Sequence, residues 1–343
     1  MNDWKIFKKE SNPHNDIERL PDPPTWRRFS TLEENITEEK KRGSTFQIRD
    51  EEVELVNAAL YLRRPLLVEG KPGTGKTSLA YAIAYQLNLG KVLRWNITTR
   101  STLTEGLYSY DAIGRLQGIR KQNQDPPPVE QKNDKNKAIS SDKQANSQLE
   151  DIGKYVRLGS VGTALYQSQL KKPRVLLIDE IDKSDIDLPN NLLHIFEEGE
   201  FEIPELARIK KQQSKVTVFT SENDEVEIDG GKIPCKAFPF VILTSNGERD
   251  FPPPFLRRCI RLTMPEPDPD RLKKIVQAHF KDEADILAKA KPIIEQYQIL
   301  QKSGQLATDQ LLNAIYLVTR DDFPDMDRDK LIEKLLQSLS NLI

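Results

Sequence analysis

The 343-residue sequence predicts an α/β domain with a parallel sheet covered by helices on both faces, followed by a small all-α domain. Between residues 49 and 267, helical patterns alternate with short, continuous apolar runs, which are typical of strands buried on both faces. After Pro269 only amphipathic helical patterns follow. We therefore expect an extended segment at 1–48, an α/β domain at 49–267 and a helical domain at 268–343.

The first 48 residues are polar and rich in proline and charge. The stretch RLPDPPTWRRF cannot form a long helix, because each proline removes an N–H donor and restricts the residue before it. We expect this segment to lie as an extended strap over the following domain, with Trp26 and Phe29 as its anchors.

The α/β domain is expected to begin with a helix in DEEVELVNAALYLRR, because an acidic first turn precedes apolar residues at helical spacing, namely Val53, Val56, Ala59 and Leu60. Buried strands are predicted in PLLVEG, KVLRWNI, RVLLIDEIDK and FPFVILTSN, and a helix in KTSLAYAIAYQLNL. A helix that leads into a strand is predicted in DLPNNLLHIFEEGEFEI. A β-hairpin insertion with an Asp-Gly-Gly turn is predicted in KVTVFTSENDEVEIDGGKIPCKAF.

Residues 119–150 interrupt this alternation. They are rich in Gln, Asn, Lys, Asp, Ser and Pro and poor in apolar residues, so they cannot bury enough surface to offset the entropy of ordering. Because a sheet strand follows, we interpret them as a disordered insertion within the α/β domain. The insertion is either a spacer or a docking segment.

The last 75 or so residues predict a helical domain. Leu272, Ile275, Val276 and Phe280 share one helix face. Three further amphipathic helices are predicted in EADILAKAKPIIEQYQIL, TDQLLNAIYLVTR and DKLIEKLLQSLSNLI.

The composition excludes several classes of function. A formal net charge of −2 argues against binding of nucleic acid or an anionic membrane through the overall charge of the protein. The longest apolar runs are too short to span a bilayer, and the first residues have no apolar core of signal-peptide length. Cys235 and Cys259 lack metal-ligand spacing, so we expect a reduced, cytoplasmic protein.

One glycine-rich motif predicts a phosphate site, because GKPGTGKTS lies between a predicted strand and a predicted helix. Its glycines let backbone N–H groups approach a phosphate, and the helix N-terminus adds to the anion site. Lys76 would place its charge on the β and γ phosphates of ATP, and the Thr77 hydroxyl would coordinate Mg²⁺. The expected nucleotide-binding residues are Gly70, Lys71, Pro72, Gly73, Thr74, Gly75, Lys76, Thr77 and Ser78.

Polar residues at the ends of two later strands predict hydrolysis as well as binding. Asp179 ends the strand VLLI and is expected to hold the magnesium ion, while Glu180 beside it can act as general base on the attacking water. Asn246 ends the strand VILTS and is expected to hold that water next to Glu180.

Two adjacent arginines follow in the stretch FPPPFLRRC. Arginine is rarely buried without a partner, so each of them needs a role. We expect one to complete the nucleotide site of a neighbouring subunit, as an arginine finger does in trans, and the other to form an ion pair within its own subunit or a second interface contact. We assign the finger to Arg258 and expect Arg257 to be a second interface arginine or a sensor arginine.

These motifs together resemble those of AAA+ ATPases, since GKPGTGKT, LLIDEIDK, ILTSN and FLRRC occur in that family's order. Within the family the chain looks most like the MoxR branch, with McrB-type relatives as neighbours. LPNNLLHIFEEGEFEIPEL resembles the MoxR helix that ends in Glu-Glu-Gly. GLYSYDAIGRLQ and YVRLGSVGTALY resemble the two arms of that branch's inserted hairpin.

The resemblance, which covers about residues 46–343, implies a fold and an assembly. It implies a P-loop NTPase αβα sandwich on a five-stranded parallel sheet, with the helical domain as a lid. It also implies ATP and Mg²⁺ as ligands, a homo-oligomeric, hexameric ring with ATP at the subunit interfaces, and remodelling of a protein partner, often one with a von Willebrand A domain. Such a head-to-tail contact closes into a ring when its rotation permits.

One departure from the family pattern leaves alternatives open. The stretch SGQLATDQLLNAI offers no arginine where a sensor-2 arginine is expected, and only Lys302 or Arg320 could substitute. A slow or non-hydrolysing ATP switch in a signalling or defence assembly is therefore one alternative. A McrB-like nucleic-acid motor is another, because KVLRWNITTR and RIKKQQSK are locally basic.

Overall fold

A computed structural model describes most of the chain. The described residues are 6, 15–20, 24, 39–40, 42–124, 152–280, 284–303, 306–319 and 328–336. The expected anchors Trp26 and Phe29, residues 125–150 of the expected insertion, and Arg320 lie outside them.

The chain divides into two compact units whose boundary differs from the expected one. The loop–lid unit comprises Met1–Glu52, Glu69–Gln86 and Thr263–Ile343, and the sheet unit comprises Val53–Val68 and Leu87–Leu262. The glycine-rich loop and the helix after it thus group with the helical domain, whereas the sequence assigned them to the α/β domain.

A parallel five-stranded sheet confirms the predicted fold class. Its strands are β1 (Leu66–Glu69), β2 (Leu93–Asn96), β5 (Val175–Asp179), β10 (Phe240–Ser245) and β11 (Ile260–Thr263), in the order β11-β1-β10-β5-β2. Every residue of β5 and β10 is buried, which is why both strands read as unbroken apolar runs until their polar ends. The register pairs Leu177 with Ile242 and Asp179 with Asn96.

A second, six-stranded sheet accounts for the predicted insertions. Its strands are β3 (Tyr108–Tyr110), β4 (Val156–Leu158), β6 (Glu200–Glu202), β7 (Lys215–Phe219), β8 (Glu225–Asp229) and β9 (Lys232–Pro234), in the order β3-β4-β7-β8-β9-β6. β3 and β4 pair antiparallel, so the two segments that resembled hairpin arms do pair. β7 and β8 form the predicted hairpin, and the Asp-Gly-Gly turn connects β8 to a third strand, β9.

The helices up to residue 256 include more than those predicted. They are α1 (Asp50–Leu62), α2 (Lys76–Gln86), α3 (Leu103–Leu107), α4 (Ala112–Gln124), α5 (Ser160–Gln167), α6 (Leu188–Glu198), α7 (Pro204–Ala207) and α8 (Pro253–Leu256). The three predicted helices, α1, α2 and α6, are present, and the five further helices were not predicted. Val53 is 47% exposed, because the first turn of α1 buries Glu52 instead, in an ion pair with Arg49. Residues 119–124 extend α4, although they were expected to be disordered. Residues 42–45 are helical, where an extended strap was expected.

The helical domain contains the predicted amphipathic helices. They are α9 (Pro269–Phe280), α10 (Ala284–Ser303), α11 (Thr308–Val318) and α12 (Arg328–Leu335). Leu272 and Val276 are fully buried, and Ile275 and Phe280 pack against the same core, so the predicted face of α9 is confirmed. No helix in the described part of the chain combines the length and apolar character needed to cross a membrane.

The turn between β8 and β9 provides a test of this topology. Gly230 and Gly231 both have positive φ, at 61° and 75°. A Cβ on Gly231 would run into the backbone of Ala207, whereas a Cβ on Gly230 would meet nothing within 4 Å. Gly230→Ala should lower the free energy of unfolding by about 1–2 kcal/mol, the cost of left-handed backbone with a Cβ. Gly231→Ala should lower it by at least ~1 kcal/mol more, because the overlap adds strain.

Urea unfolding of the two variants measures the difference. Equal losses would mean that Ala207 does not pack against this turn as described.

Candidate functional site

Three polar segments start at the ends of strands in the five-stranded sheet. Gly70 directly follows β1, Glu180 directly follows β5, and Asn246 directly follows β10. Ligands of open α/β sheets bind beyond the carboxyl ends of the strands. The first segment belongs to the loop–lid unit and the other two to the sheet unit.

The glycine-rich loop adopts a conformation that requires its glycines. Gly73 and Gly75 have φ of 79° and 95°, which an L side chain rarely adopts. A Cβ on Gly73 would also lie 2.7 Å from the backbone nitrogen of Thr308. The loop therefore has two glycines that no larger residue replaces without strain.

Lys76 begins α2 and turns its ammonium back into the loop. Its Nζ donates to the carbonyl oxygens of Gly70 at 2.6 Å and Lys71 at 2.9 Å, and the residue is only 7% exposed. A buried ammonium needs such acceptors. A phosphate oxygen would make a stronger, charge-assisted bond with the same group.

The first residue of α11 contacts the loop directly. The Thr308 hydroxyl donates to the carbonyl of Gly73 at 2.8 Å. Buried Tyr297 on α10 donates its hydroxyl to the carbonyl of Leu306 at 3.1 Å, and burial raises the pKa of this phenol to about 12. The sequence analysis missed Thr308, although it lies in the stretch where no sensor-2 arginine was found. The side chains of Lys302 and Arg320 lie outside the described part of the structure.

A second contact with the loop comes from before α1. A Cβ on Gly75 would lie 3.1 Å from the ring of Phe46. The guanidinium of Arg271 lies 5.7 Å from the centre of that ring, and its Nη2 donates to the carbonyl of Gln47 at 3.1 Å. Burial lowers the pKa of Arg271, and the carboxylate of Glu52 opposes that effect. Residues 46–52 thus contribute to the surroundings of the loop, which no sequence motif indicated.

In the sheet unit, one buried hydroxyl connects the two predicted acids. Thr244 Oγ1 donates to Asp179 Oδ1 at 2.6 Å and accepts the backbone N–H of Glu180 at 2.9 Å. Thr244 is fully buried, two residues before Asn246. The sequence analysis quoted this residue in VILTSN but gave it no role.

Glu180 and Asn246 lie together, as the sequence predicted. Glu180 has the left-handed conformation, with φ of 63°, which a residue with a Cβ adopts at a cost. Its Oε1 lies 3.4 Å from Asn246 Nδ2, and its Oε2 accepts from Lys183 Nζ at 2.8 Å. The hydrogen bond to Glu180 is the main cause of a raised pKa at Lys183.

Asp182 fixes the chain that carries Asn246. Its Oδ2 accepts the backbone N–H groups of Asn246 at 2.9 Å and Glu248 at 3.1 Å, and the residue is buried. The sequence analysis missed this role. The third acid of the DEID stretch, placed near the end of an apolar strand, was the available signal.

The two arginines differ in their side-chain partners. Arg258 forms an ion pair with Glu197 on α6 of its own subunit. Arg257 is exposed, and its guanidinium bonds to no acceptor in the described part of the chain. The intrasubunit ion pair that we expected of one of the two thus belongs to Arg258, and the finger assignment stays a prediction. The physical reason for the ion pair is that α8 packs beside α6, which brings the acid of α6 to Arg258.

Each unit carries groups of the kind that a nucleotide with magnesium requires. The loop has glycines, Lys76 and the first turn of α2, where Thr77 carries a hydroxyl of the kind that Mg²⁺ accepts. In the sheet unit, Asp179 has a carboxylate, and Glu180 lies beside the amide of Asn246. Magnesium binds few protein ligands when it is bound with phosphates, so a small number of such groups is enough.

Comparison with known proteins agrees with this chemistry. The family model described as AAA domain (dynein-related subfamily) matches residues 65–259, more than half of the chain. The match includes the loop, both acids, Asn246 and both arginines, and it ends before the helical domain. A comparison with curated proteins found no match.

The Thr244 hydroxyl is the most testable part of this geometry. Thr244→Val keeps the volume but leaves the buried Asp179 oxygen and the Glu180 N–H without this partner. We expect it to lower the free energy of unfolding by about 2–3 kcal/mol, as for a hydrogen bond to a charged group. Thr244→Ser keeps the hydroxyl and should recover most of that loss.

Chemical unfolding of the nucleotide-free protein is the measurement. Equal stability of the valine variant and the wild type would show that the hydroxyl bridge is not formed.

Proposed function

The chain belongs to the dynein-related subfamily of AAA domain proteins, and from this premise we propose that it is a magnesium-dependent ATPase that works in an oligomeric ring. The observation that carries the proposal is the contact between Glu180 and Asn246, 3.4 Å apart at the ends of two neighbouring parallel strands. Nucleotide binding alone requires neither a base nor an amide beside it.

In this proposal the loop binds the phosphates of ATP. Backbone N–H groups of Gly70–Ser78 and the N-terminus of α2 surround the anion. The Lys76 ammonium transfers from the loop carbonyls to the β and γ phosphates. Thr77 and Asp179 would hold magnesium, which would supply positive charge to the phosphate oxygens.

The hydrolytic step uses the residues of the sheet unit. Asn246 orients a water, and Glu180 accepts one of its protons as the oxygen forms a bond to the γ phosphorus. The bond from that phosphorus to the bridging oxygen breaks, so ADP and inorganic phosphate leave.

The unpaired guanidinium of Arg257 supports a shared site. It is exposed and has no acceptor among the described residues, so a nucleotide of the neighbouring subunit can engage it. We therefore propose Arg257 as the finger in trans, and Arg258 as the residue that fixes this turn through Glu197. The hexameric ring stays a proposal that follows from this arrangement.

The partner and the branch are also proposals. The helix α6, which ends in Glu-Glu-Gly before β6, and the pairing of β3 with β4 support the MoxR branch over McrB-type relatives. We propose accordingly that ATP hydrolysis remodels a protein partner, such as one with a von Willebrand A domain. Cys235 and Cys259 are not joined in a disulfide, which supports a cytoplasmic location.

Two observations favour a second candidate, a slow nucleotide switch. Lys183 holds one oxygen of the proposed base at 2.8 Å, and Thr308 occupies the start of α11 where a sensor-2 arginine was expected. A chain that keeps this arrangement with ATP bound would hold nucleotide and hydrolyse it slowly.

Binding and hydrolysis measured in parallel test the proposal. Lys76→Ala should reduce ATP affinity by at least tenfold, because it removes the charge that meets the phosphates. Glu180→Gln should bind ATP as the wild type does and lose about 100-fold or more in the rate of phosphate release.

A wild type that binds ATP and magnesium but releases phosphate no faster than the Glu180→Gln variant would favour the switch. A wild type that binds no ATP would contradict both candidates.

The finger assignment has its own test. Phosphate release per protomer should rise with protein concentration, and Arg257→Ala should abolish that rise while ATP binding is kept. Arg258→Ala is the matched control. It removes the same side chain from the next position and should retain more activity, because its ion pair lies within the subunit.

A flat dependence on concentration, or a greater loss in the Arg258→Ala variant, would show that Arg257 is not the finger.

A further inference from the structure

Arg94 on β2 forms an ion pair with the acid that we assign to magnesium. Its Nη2 lies 2.6 Å from Asp179 Oδ2. The other oxygen of the same carboxylate accepts the Thr244 hydroxyl, also at 2.6 Å. Both oxygens of Asp179 therefore have partners from the chain itself.

The two partners differ in how readily they can leave. Thr244 is fully buried in β10, so its hydroxyl stays in place. The Arg94 side chain is 40% exposed, whereas that of Asp179 is 8% exposed. The backbone of Arg94 is fixed by its register with Leu177 and by a hydrogen bond from Ser160 to its carbonyl at 2.8 Å. Only its guanidinium can therefore swing out into water.

The ion pair between Arg94 and Asp179 lies within a cluster of negatively charged side chains. Asp179, Glu180 and Asp182 place three carboxylates within four residues. Arg94 is bonded to Asp179 and Lys183 to Glu180, while Asp182 accepts two backbone N–H groups. Arg94 thus supplies at Asp179 the positive charge that a metal ion would supply.

We infer that Arg94 competes with magnesium for Asp179 and so sets the magnesium concentration at which the site binds nucleotide. The inference rests on the proposed function, because it needs Asp179 to serve magnesium. A guanidinium and a divalent cation cannot share one carboxylate oxygen, since like charges at that distance repel. The metal meets Asp179 only in the fraction of molecules in which Arg94 has left, and the apparent affinity falls by that fraction.

The sequence had offered a different role for this residue. Arg94 belongs to the basic stretch KVLRWNITTR, which kept a nucleic-acid motor as an alternative. Its guanidinium is bonded to a carboxylate of the same chain, so this charge of the stretch is already compensated.

A magnesium titration tests the inference. The full chain is mixed with a fluorescent, non-hydrolysable ATP analogue, and binding is followed as magnesium is added. Arg94→Gln should lower the half-saturating magnesium concentration by about two- to fivefold, the range expected for a partly exposed ion pair. Arg94→Lys keeps the charge and should stay close to the wild type.

Arg208→Gln is the matched control for loss of one positive charge. Arg208 is exposed in the same unit and forms no ion pair within the described residues, so its loss should leave the magnesium midpoint unchanged. Thermal unfolding without nucleotide confirms that each variant is folded.

Each outcome decides the matter. An unchanged midpoint in Arg94→Gln overturns the inference, and so does a higher midpoint, which would make Arg94 a residue that positions Asp179 for the metal. An equal shift in Arg208→Gln would mean that the loss of any positive charge changes the magnesium midpoint, and it would also overturn the inference. If the wild type shows no magnesium-dependent nucleotide binding, the proposed function fails, and the inference with it.

Discussion

The candidate site depends on one buried hydroxyl, that of Thr244. It holds Asp179 through one oxygen and the backbone of Glu180 through its N–H group. Two acids at the end of a buried strand repel each other and are costly to desolvate, so they stay ordered only if donors meet them. Thr244 lies two residues before Asn246 on the neighbouring strand. Its bonds to Asp179 and Glu180 therefore also set the position of both acids relative to the Asn246 amide.

In the glycine-rich loop, too, polar groups of the chain are paired with one another. Lys76 binds two carbonyls of the loop, and Thr308 of the lid binds a third. A bound phosphate would replace or rearrange these contacts. Nucleotide binding would therefore change the surroundings of Thr308, the first residue of α11. A lid that senses nucleotide through a hydroxyl is consistent with a chain that carries no arginine at this point.

The sequence predicted the sheet and the main site residues because their signals are local. β5 and β10 are unbroken apolar runs with polar ends, and the glycines of the loop are required by its own backbone. The roles of Thr244, Asp182, Thr308 and Arg94 depend on partners between 64 and 235 positions away, which periodicity does not encode. The ion pair of Arg258 could not be predicted for the same reason, since the acid that pairs with it lies on α6.

A structure determined with magnesium and a non-hydrolysable ATP analogue tests the central claim most directly, namely that the loop and the acid–amide cluster act on the same nucleotide. The account predicts that Lys76 Nζ leaves the carbonyls of Gly70 and Lys71 for the terminal phosphates, with the metal at Thr77 and Asp179 and the γ phosphate facing Glu180. A nucleotide bound elsewhere, or a Lys76 still bonded to both carbonyls beside it, would contradict the account.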